Sequence, residues 1–248
     1  MTDTRSQKIR IWDAPVRVFH WLLVLSFAGA WLSAESERWR LLHVTLGYTL
    51  GGLLVFRLVW GVVGTRYARF GNFVRGPAAV LRYLRSIRAK RPEHHLGHNP
   101  AGAVAIVLLL ALGLAIVATG YVTYNDLGPG WVAELHDLLA NAMLLVIFGH
   151  LVGVVTASLQ HRENLVRSML TGYKNGAADQ GIRRSWTLVA VLMVLAVLLF
   201  WWLQWRSAPQ PDTAAAAVMQ PAAQTAGSGA KIDAPLAATQ GPHAHTVS

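Results

Sequence analysis

Four histidines of this chain lie within long apolar stretches, where an ionisable side chain is costly to bury and usually has a functional role. They are His20, His43, His136 and His150. Neutral imidazole is a strong ligand for transition metals, and two imidazoles facing each other can hold the iron of a porphyrin. A single histidine in such a stretch could instead bond a backbone carbonyl or a hydroxyl group, so the arrangement of all four decides between these interpretations.

The spacing of His136 and His150 places both side chains on the same face of one helix. They are 14 residues apart, which is about 21 Å along a helix axis and roughly 40° around it. If successive helices alternate in direction, His43 lies at the depth of His136, and His20 lies at the depth of His150. The pattern therefore predicts two haems at two depths, each held by two histidines.

The complete absence of cysteine defines the kind of haem that such a chain can hold. Thioether-linked haem requires cysteine, as do disulfides, iron–sulfur clusters and Cys-ligated zinc. The predicted cofactors are therefore two b-type haems, which are iron protoporphyrin IX held without covalent links.

The composition is that of a membrane protein. The chain has 248 residues, of which 54% are hydrophobic and only 14% charged, whereas soluble proteins carry about a quarter charged residues. The 22 basic residues outnumber the 12 acidic ones, but they lie between apolar stretches rather than along one soluble face. We therefore expect contact with membrane lipids and no nucleic-acid partner.

Five apolar stretches are long enough to cross a bilayer as helices, which takes about 20 residues. They cover residues 18–34, 41–64, 101–124, 131–159 and 186–205. Tryptophans cluster near their ends, as is typical of residues at the level of the lipid headgroups. We predict an all-α integral membrane protein, with a four-helix transmembrane bundle that holds two haems and a fifth, C-terminal transmembrane helix.

The distribution of arginine and lysine predicts the orientation. The N-terminal arm and the links that follow the second and fourth spans are rich in basic residues, while the other two links hold two and none. Because positive loops stay inside, we expect a cytoplasmic N-terminus and a periplasmic C-terminus. A cleavable signal peptide ending near residue 34 is an alternative, but His20 and Trp21 interrupt its apolar region.

The chain divides into four predicted regions. Residues 1–17 form a cytoplasmic arm, 18–176 the di-haem membrane domain, 177–205 a linker with the fifth span, and 206–248 a disordered periplasmic tail rich in Ala, Pro, Gln and Thr. Within the second region, residues 77–91 alternate apolar residues with arginines at helical spacing. This pattern predicts a helix on the inner membrane surface with its arginines near anionic lipid.

Arg57 is a further candidate for binding a cofactor. It follows His43 by 14 residues and therefore lies on a nearby face of the same helix, at the inner level. An arginine at this depth could pair with a propionate of the inner haem. It could equally extend its side chain to the inner headgroups.

Two weaker patterns allow two interpretations each. Four glycines could form a groove for a flat macrocycle or simply allow close helix packing; they are Gly47, Gly51, Gly149 and Gly153. Three histidines in the basic link before the third span could bind a metal ion, although a solvated loop near the headgroups is the simpler expectation; they are His94, His95 and His98.

Residues 12–21 (WDAPVRVFHW) resemble the opening of the prokaryotic cytochrome b561 family, which includes the b-type cytochrome subunit of nickel–iron hydrogenases. The resemblance covers about residues 9–176. Further similar segments are residues 42–43, 47–48, 57–60, 97–100, 134–137, 149–153, 161–165 and 172–174. It implies a four-helix membrane bundle that holds two b haems and lies in the bacterial inner membrane. The ligands would be His20, His43, His136 and His150, pairing the first and second spans with the fourth.

Two haem irons that each bind two histidines have no open position, which favours electron transfer over oxygen chemistry. We therefore predict transmembrane electron transfer between the quinone pool and a periplasmic partner such as a c-type cytochrome.

One alternative is a superoxide:quinone oxidoreductase, in which Arg38 and Arg40 attract the anion to the outer haem. Another is the cytochrome subunit of a larger respiratory complex such as a hydrogenase. A third is a histidine-lined transporter, which would need acidic residues within the spans. Association into a homodimer is left open.

Overall fold

The structure of the chain is a computed structural model, and it describes residues 7–89 and 95–208. These residues form eight α-helices and two short β-strands. The helices are α1 (Ala14–Ser33), α2 (Arg40–Val63), α3 (Phe70–Phe73), α4 (Pro77–Arg88), α5 (Pro100–Tyr124), α6 (Trp131–His161), α7 (Leu165–Thr171) and α8 (Thr187–Ser207). The strands are β1 (Gln7–Arg10) and β2 (Tyr173–Gly176).

Five of these helices are long and apolar enough to cross a membrane, judged by their length and composition: α1, α2, α5, α6 and α8. They coincide with the five predicted spans. The helix α1 begins at Ala14, four residues earlier than expected, because Asp13 caps it. The Asp13 Oδ1 atom accepts a hydrogen bond from the Val16 N–H at 2.8 Å, and Pro15 lies in the first turn.

The transmembrane helices pack in a chain of neighbours. The helix α1 packs against α2, α2 packs against α5, and α5 packs against α6. A buried apolar cluster joins side chains from α1, α2, α5 and α8: Phe19, Leu50, Leu53, Leu54, Leu110 and Met193. The fifth span α8 is held further by Trp201, whose Nε1–H donates to Thr49 Oγ1 at 2.8 Å. It therefore belongs to the same packed assembly as the other helices.

A small antiparallel sheet closes one end of the helices. Strand β1 pairs with β2, with Ile9 opposite Lys174. The N–H groups of Ile11 and Trp12 both donate to the carbonyl of Gly172, whose φ of 88° suits glycine. We call this end, formed by residues 7–13, 64–76, 95–99 and 162–186, the basic end. The opposite end is formed by residues 34–39 and 125–130. The N-terminal arm is therefore structured from residue 7, where no element was predicted.

The predicted amphipathic helix is present as α4. Tyr83 is buried and anchors the helix on the protein. Leu81 and Leu84, two residues of the predicted apolar side, are 55% and 48% exposed, and their contact with the membrane surface remains a prediction. Residues 90 and 91 of the predicted segment lie outside the described residues, as does the predicted disordered tail from residue 209. The proposed division into four regions remains a prediction.

Candidate functional site

His43 and His136 meet at the opposite end. His43 lies in the first turn of α2, and its Nδ1 atom is 2.8 Å from the carbonyl oxygen of Ala30 in α1. The Nδ1 atom of His136 in α6 is 3.0 Å from the carbonyl oxygen of Ile116 in α5. Because a carbonyl can only accept a hydrogen bond, each Nδ1 carries the proton, and each Nε2 of the neutral ring keeps its lone pair. Metal-binding histidines are typically oriented in this way.

The distance between these two rings suits one shared metal atom. Their centres are 6.2 Å apart and their planes are inclined by 74°. Two imidazoles on opposite sides of a metal, each bonded at about 2 Å, have ring centres about 6 Å apart. The structure thus brings together the pair that the sequence predicts at this depth, with a geometry that fits a haem iron. Their role as ligands remains a prediction.

Glycines line the surroundings of this pair in two different ways. Gly120 of α5 lies directly against His136, and a Cβ atom there would be 2.9 Å from the ring atom Cε1. Gly51 packs against Val117, which supports simple helix packing at that position. A Cβ atom on Gly47 would meet nothing within 4 Å, and the same is true of Gly149 and Gly153. Gly47 leaves open space one turn from His43, whereas Gly149 and Gly153 leave it next to His150 of the other pair, and both fit the predicted groove for a macrocycle.

His20 and His150 form the second predicted pair, at the depth of the basic end. His20 lies in the second turn of α1, and its Nδ1 atom is buried without a hydrogen-bond partner among the described residues. His150 lies on the continuous helix α6, about 21 Å from His136 along the axis. The two side chains are near enough for their charges to interact. The structure therefore places them on two helices at one depth.

Arg57 is buried rather than extended to the headgroups. The residue is only 4% exposed, and its guanidinium carbon lies 4.7 Å from the ring centre of Phe70 and 6.0 Å from that of Phe73. Its Nη1 atom is buried and has no hydrogen-bond partner among the described residues. This burial disfavours the interpretation in which the side chain extends to the headgroups. A buried guanidinium with an unused donor fits an anionic group such as a haem propionate.

His98 was expected in a solvated loop, and this expectation is wrong. Its ring lies between Trp12 and Phe73, with ring centres 4.6 Å away on each side. Its Nδ1 atom is buried without a hydrogen-bond partner among the described residues. Burial, together with the positive charge of Arg57, lowers the pKa of His98 to about 3. The imidazole is therefore neutral at physiological pH and belongs to the surroundings of the second pair.

The signal that could have identified His98 lies in the next residue. The Asn99 side chain caps α5, accepting a hydrogen bond from the Gly102 N–H at 2.7 Å, and Pro100 begins the helix. A capped helix start fixes the chain at His98 instead of leaving it in a loop. Of the other two histidines in this link, His95 packs edge-on against Tyr83, and His94 lies outside the described residues.

Asp13 connects the beginning of α1 with the end of α2 at the basic end. Besides capping α1, its carboxylate accepts hydrogen bonds at Oδ2 from Trp60 Nε1 at 3.1 Å and from Thr65 Oγ1 at 2.6 Å. The residue is 1% exposed, so these three bonds hold a buried negative charge. Asp13 thereby fixes α1, which carries His20, against α2, which carries Arg57. Sequence reasoning did not identify this role.

No group of three or more His, Asp or Glu side chains within residues 7–89 and 95–208 could hold a bare metal ion. The two predicted histidine pairs would each offer two ligands, which is the number that a haem iron takes from a protein. The side chains thus fit haem better than a simple metal site.

Comparison with known proteins agrees with this chemistry. The sequence profile of the prokaryotic cytochrome b561 family matches residues 11–172. A probable Ni/Fe-hydrogenase 1 B-type cytochrome subunit of Escherichia coli strain K12 is 24% identical over 212 residues, covering 66% of this chain and 90% of the relative. A probable Ni/Fe-hydrogenase B-type cytochrome subunit of Rhizobium leguminosarum is 23% identical, with coverages of 67% and 88%. No solved structure matches the chain. Because the family match covers well over half of its length, this chain belongs to the prokaryotic cytochrome b561 family of membrane b-type cytochromes.

Proposed function

We propose that the protein transfers electrons across the membrane through two b-type haems, each held by two histidines. The observation that carries this proposal is the geometry of His43 and His136, whose rings are 6.2 Å apart with both Nδ1 atoms on backbone carbonyls. His20 and His150 are the proposed ligands of the second haem. Haem supplies a reversible one-electron change at its iron.

The protein residues have separate tasks in this proposal. The carbonyls of Ala30 and Ile116 hold the two imidazoles of the opposite end in one tautomer and orientation. If each haem were held by two histidines, this ligand set would favour electron transfer over oxygen chemistry. At the basic end, Arg57 offers its unused Nη1 donor to a propionate. The buried Asp13 carboxylate lies near enough for its charge to act on Arg57 and partly balances it.

The relatives support a partner within a respiratory complex, since they are named as cytochrome subunits of hydrogenases. We propose that this chain exchanges electrons between such a partner, or a periplasmic c-type cytochrome, and the quinone pool. The positive loops support our proposal that the basic end and the N-terminus lie in the cytoplasm, and the opposite end and the C-terminus in the periplasm, of a bacterial inner membrane. The periplasmic partner would then dock near His43 and His136.

The structure gives less support to the superoxide alternative. That hypothesis relies on Arg38 and Arg40 to attract an anion to the opposite end. Arg40 lies 3.6 Å from the Glu37 carboxylate, and the Arg38 guanidinium lies 5.8 Å from the ring centre of Trp39. The adjacent negative charge weakens an already small attraction.

Haem counting on the purified full-length protein tests the proposal. A pyridine haemochrome assay should give about two b haems per chain. His136→Ala should remove the haem of the opposite end, and His20→Ala that of the basic end, so that each variant keeps about one. His161→Ala, on the last residue of α6, is the matched control and should keep both. A colourless protein after haem-supplemented expression, or two intact haems in either ligand variant, would show that the assignment is wrong.

Reduction experiments then separate the partner hypotheses. We expect a quinol analogue to reduce the haems of the isolated chain. Superoxide-dependent reduction of quinone by the isolated chain would favour the enzyme hypothesis. The proposed link to the quinone pool fails if quinol leaves both haems oxidised while stronger chemical reductants reduce them.

A further inference from the structure

A cavity of about 850 Å³ lies at the basic end, outside both histidine pairs. Its walls come from the link between α2 and α4, the first turns of α4, the residues just before α5, and β2 with the segment that follows it. Its lining includes Arg66, Arg75, Arg82, His95, His98 and Asn175. The volume falls in the range of cavities that bind small molecules. The four histidines assigned to the haems and Arg57 are not in the described lining, although Phe73, which packs on Arg57, is.

The charge of this cavity is one-sided. Three arginines and two histidines line it, and none of its described lining residues is acidic. Arg66 and Arg75 make no ion pair with a described residue, although the Arg75 guanidinium reaches the Asn72 carbonyl at 3.4 Å. Several positive charges close together raise the local potential and attract an anion.

The beginning of α4 borders the same cavity. Gly76, the N-cap residue, and Ala79 of the first turn both line it. The Ala79 N–H already donates to the Gly76 carbonyl at 3.0 Å, and the first helical residue, Pro77, has no N–H, so these residues contribute the positive end of the helix dipole rather than free donors. Together with the arginines, this dipole favours a negatively charged group such as a phosphate.

The neighbouring surface is apolar. Leu81 and Leu84, on the same helix as Arg82, are about half exposed, and Val74 is 44% exposed. Arginines next to exposed leucines at the end of transmembrane helices are typical of the level where headgroups meet acyl chains. A lipid could therefore place its phosphate in the cavity and its chains along these side chains.

We propose that this cavity is a binding site for a phosphate-bearing anion, supplied by the headgroup of an anionic phospholipid. Arg66 and Arg75 bind the phosphate through their side chains, and the dipole of α4 favours its negative charge. Arg82, on the same wall, adds positive charge. The proposal does not depend on the haems, because it requires only the cavity, its arginines and the adjacent membrane.

Native mass spectrometry on the full-length, haem-loaded protein in detergent tests this site. After delipidation, the protein is titrated with phosphatidylglycerol, with phosphatidylcholine and with inorganic phosphate. We expect one phosphatidylglycerol to bind per chain and phosphatidylcholine to bind at least about tenfold more weakly. In Arg66→Gln and Arg75→Gln, the affinity for phosphatidylglycerol should fall by about tenfold each.

The matched controls remove the same charge from the neighbouring helix α4, away from the cavity. Arg85→Gln and Arg88→Gln lie on α4 but not in the lining, and they should change the affinity by no more than about threefold. Ala79→Glu is a second variant that keeps the arginines and introduces a carboxylate into the wall, and it should abolish binding. The haem spectrum of each variant checks that it has folded.

Each remaining outcome has a defined meaning. If inorganic phosphate binds through Arg66 and Arg75 but phosphatidylglycerol does not, the phosphate site stands and its ligand is a free anion. Equal losses in the cavity and control variants would show diffuse surface attraction and overturn the proposal. It would also be overturned if a co-purified quinone, rather than a phospholipid, were lost in Arg66→Gln.

Discussion

Gly120→Ala should release the haem of the opposite end while leaving the other in place. The added Cβ atom would lie 2.9 Å from Cε1 and 3.3 Å from Nδ1 of His136. An ordinary van der Waals contact begins at 3.4 Å, so the imidazole must move away from α5 by about 0.5 Å. The same movement stretches its 3.0 Å hydrogen bond to the Ile116 carbonyl to about 3.5 Å, where such bonds are weak.

The expected size of the effect follows from the loss of this orienting bond. Removing a partner that orients a metal-binding histidine typically lowers affinity by about 10- to 100-fold. Gly120→Ala purified from cells without added haem should therefore contain about one b haem per chain instead of about two. Its redox titration should lose one of the two midpoint potentials.

Gly52→Ala is the matched control for this experiment. Gly52 lies on α2, and a Cβ atom there would meet nothing within 4 Å. The general gain in helix stability from glycine to alanine, up to about 1 kcal/mol, is thus present in both variants. Should Gly120→Ala keep two haems with unchanged midpoint potentials, the position of the His136 ring would not determine haem binding, and the reasoning from its contacts would fail.

Three further predictions concern the basic end. Arg57→Gln should lower the midpoint potential of the nearer haem by about 60 mV or more in a redox titration, because a buried positive charge favours the reduced state. The control Arg206→Gln, at the far end of α8, should leave this midpoint potential unchanged. Asp13→Ala should lower the free energy of unfolding by about 2 to 4 kcal/mol, because the helix cap and two buried hydrogen bonds are lost. Its melting temperature should therefore be lower than that of the surface control Asp179→Ala. In the folded chain the pKa of His98 is about 3, below its ordinary value of 6.5. Between these two pH values the unfolded chain binds a proton at His98 and the folded chain does not, so the free energy of unfolding falls as the pH drops from 6.5 towards 3. His98→Gln should therefore flatten the acid side of the melting-temperature profile, and an unchanged slope would contradict the assigned burial.

The helices and the pairing of histidines could be predicted because both depend on short-range periodicity. A run of about 20 apolar residues has few alternatives to a membrane helix. The 14-residue spacing of His136 and His150 sets their common face through helix geometry alone. The positions of all four histidines on their helices agree with that prediction, and the close approach of His43 to His136 is the part that the structure adds.

The small sheet at the basic end could not be predicted in the same way. Strand β1 has only four residues, and its partner β2 lies more than 160 residues further along the chain. A short polar strand is stable only when its partner is already held in place, and here α6 and α7 bring that partner back. Local pattern therefore predicted only a cytoplasmic arm without a strand, although the Asp13 cap and Pro15 could have indicated the earlier start of α1.

The surroundings of Arg57 and His98 at the basic end could not be predicted from the sequence. The choice between a propionate partner and the headgroups depended on whether anything covers Arg57, and the cover is the four-residue helix α3 with Phe70 and Phe73. The same Phe73 packs on His98, with Trp12 from the N-terminal arm on its other side. Both aromatic contacts come from segments outside the transmembrane helices. Such segments exclude water from the polar groups beneath them. A buried donor without a hydrogen-bond partner is then strongly stabilised by an anionic partner.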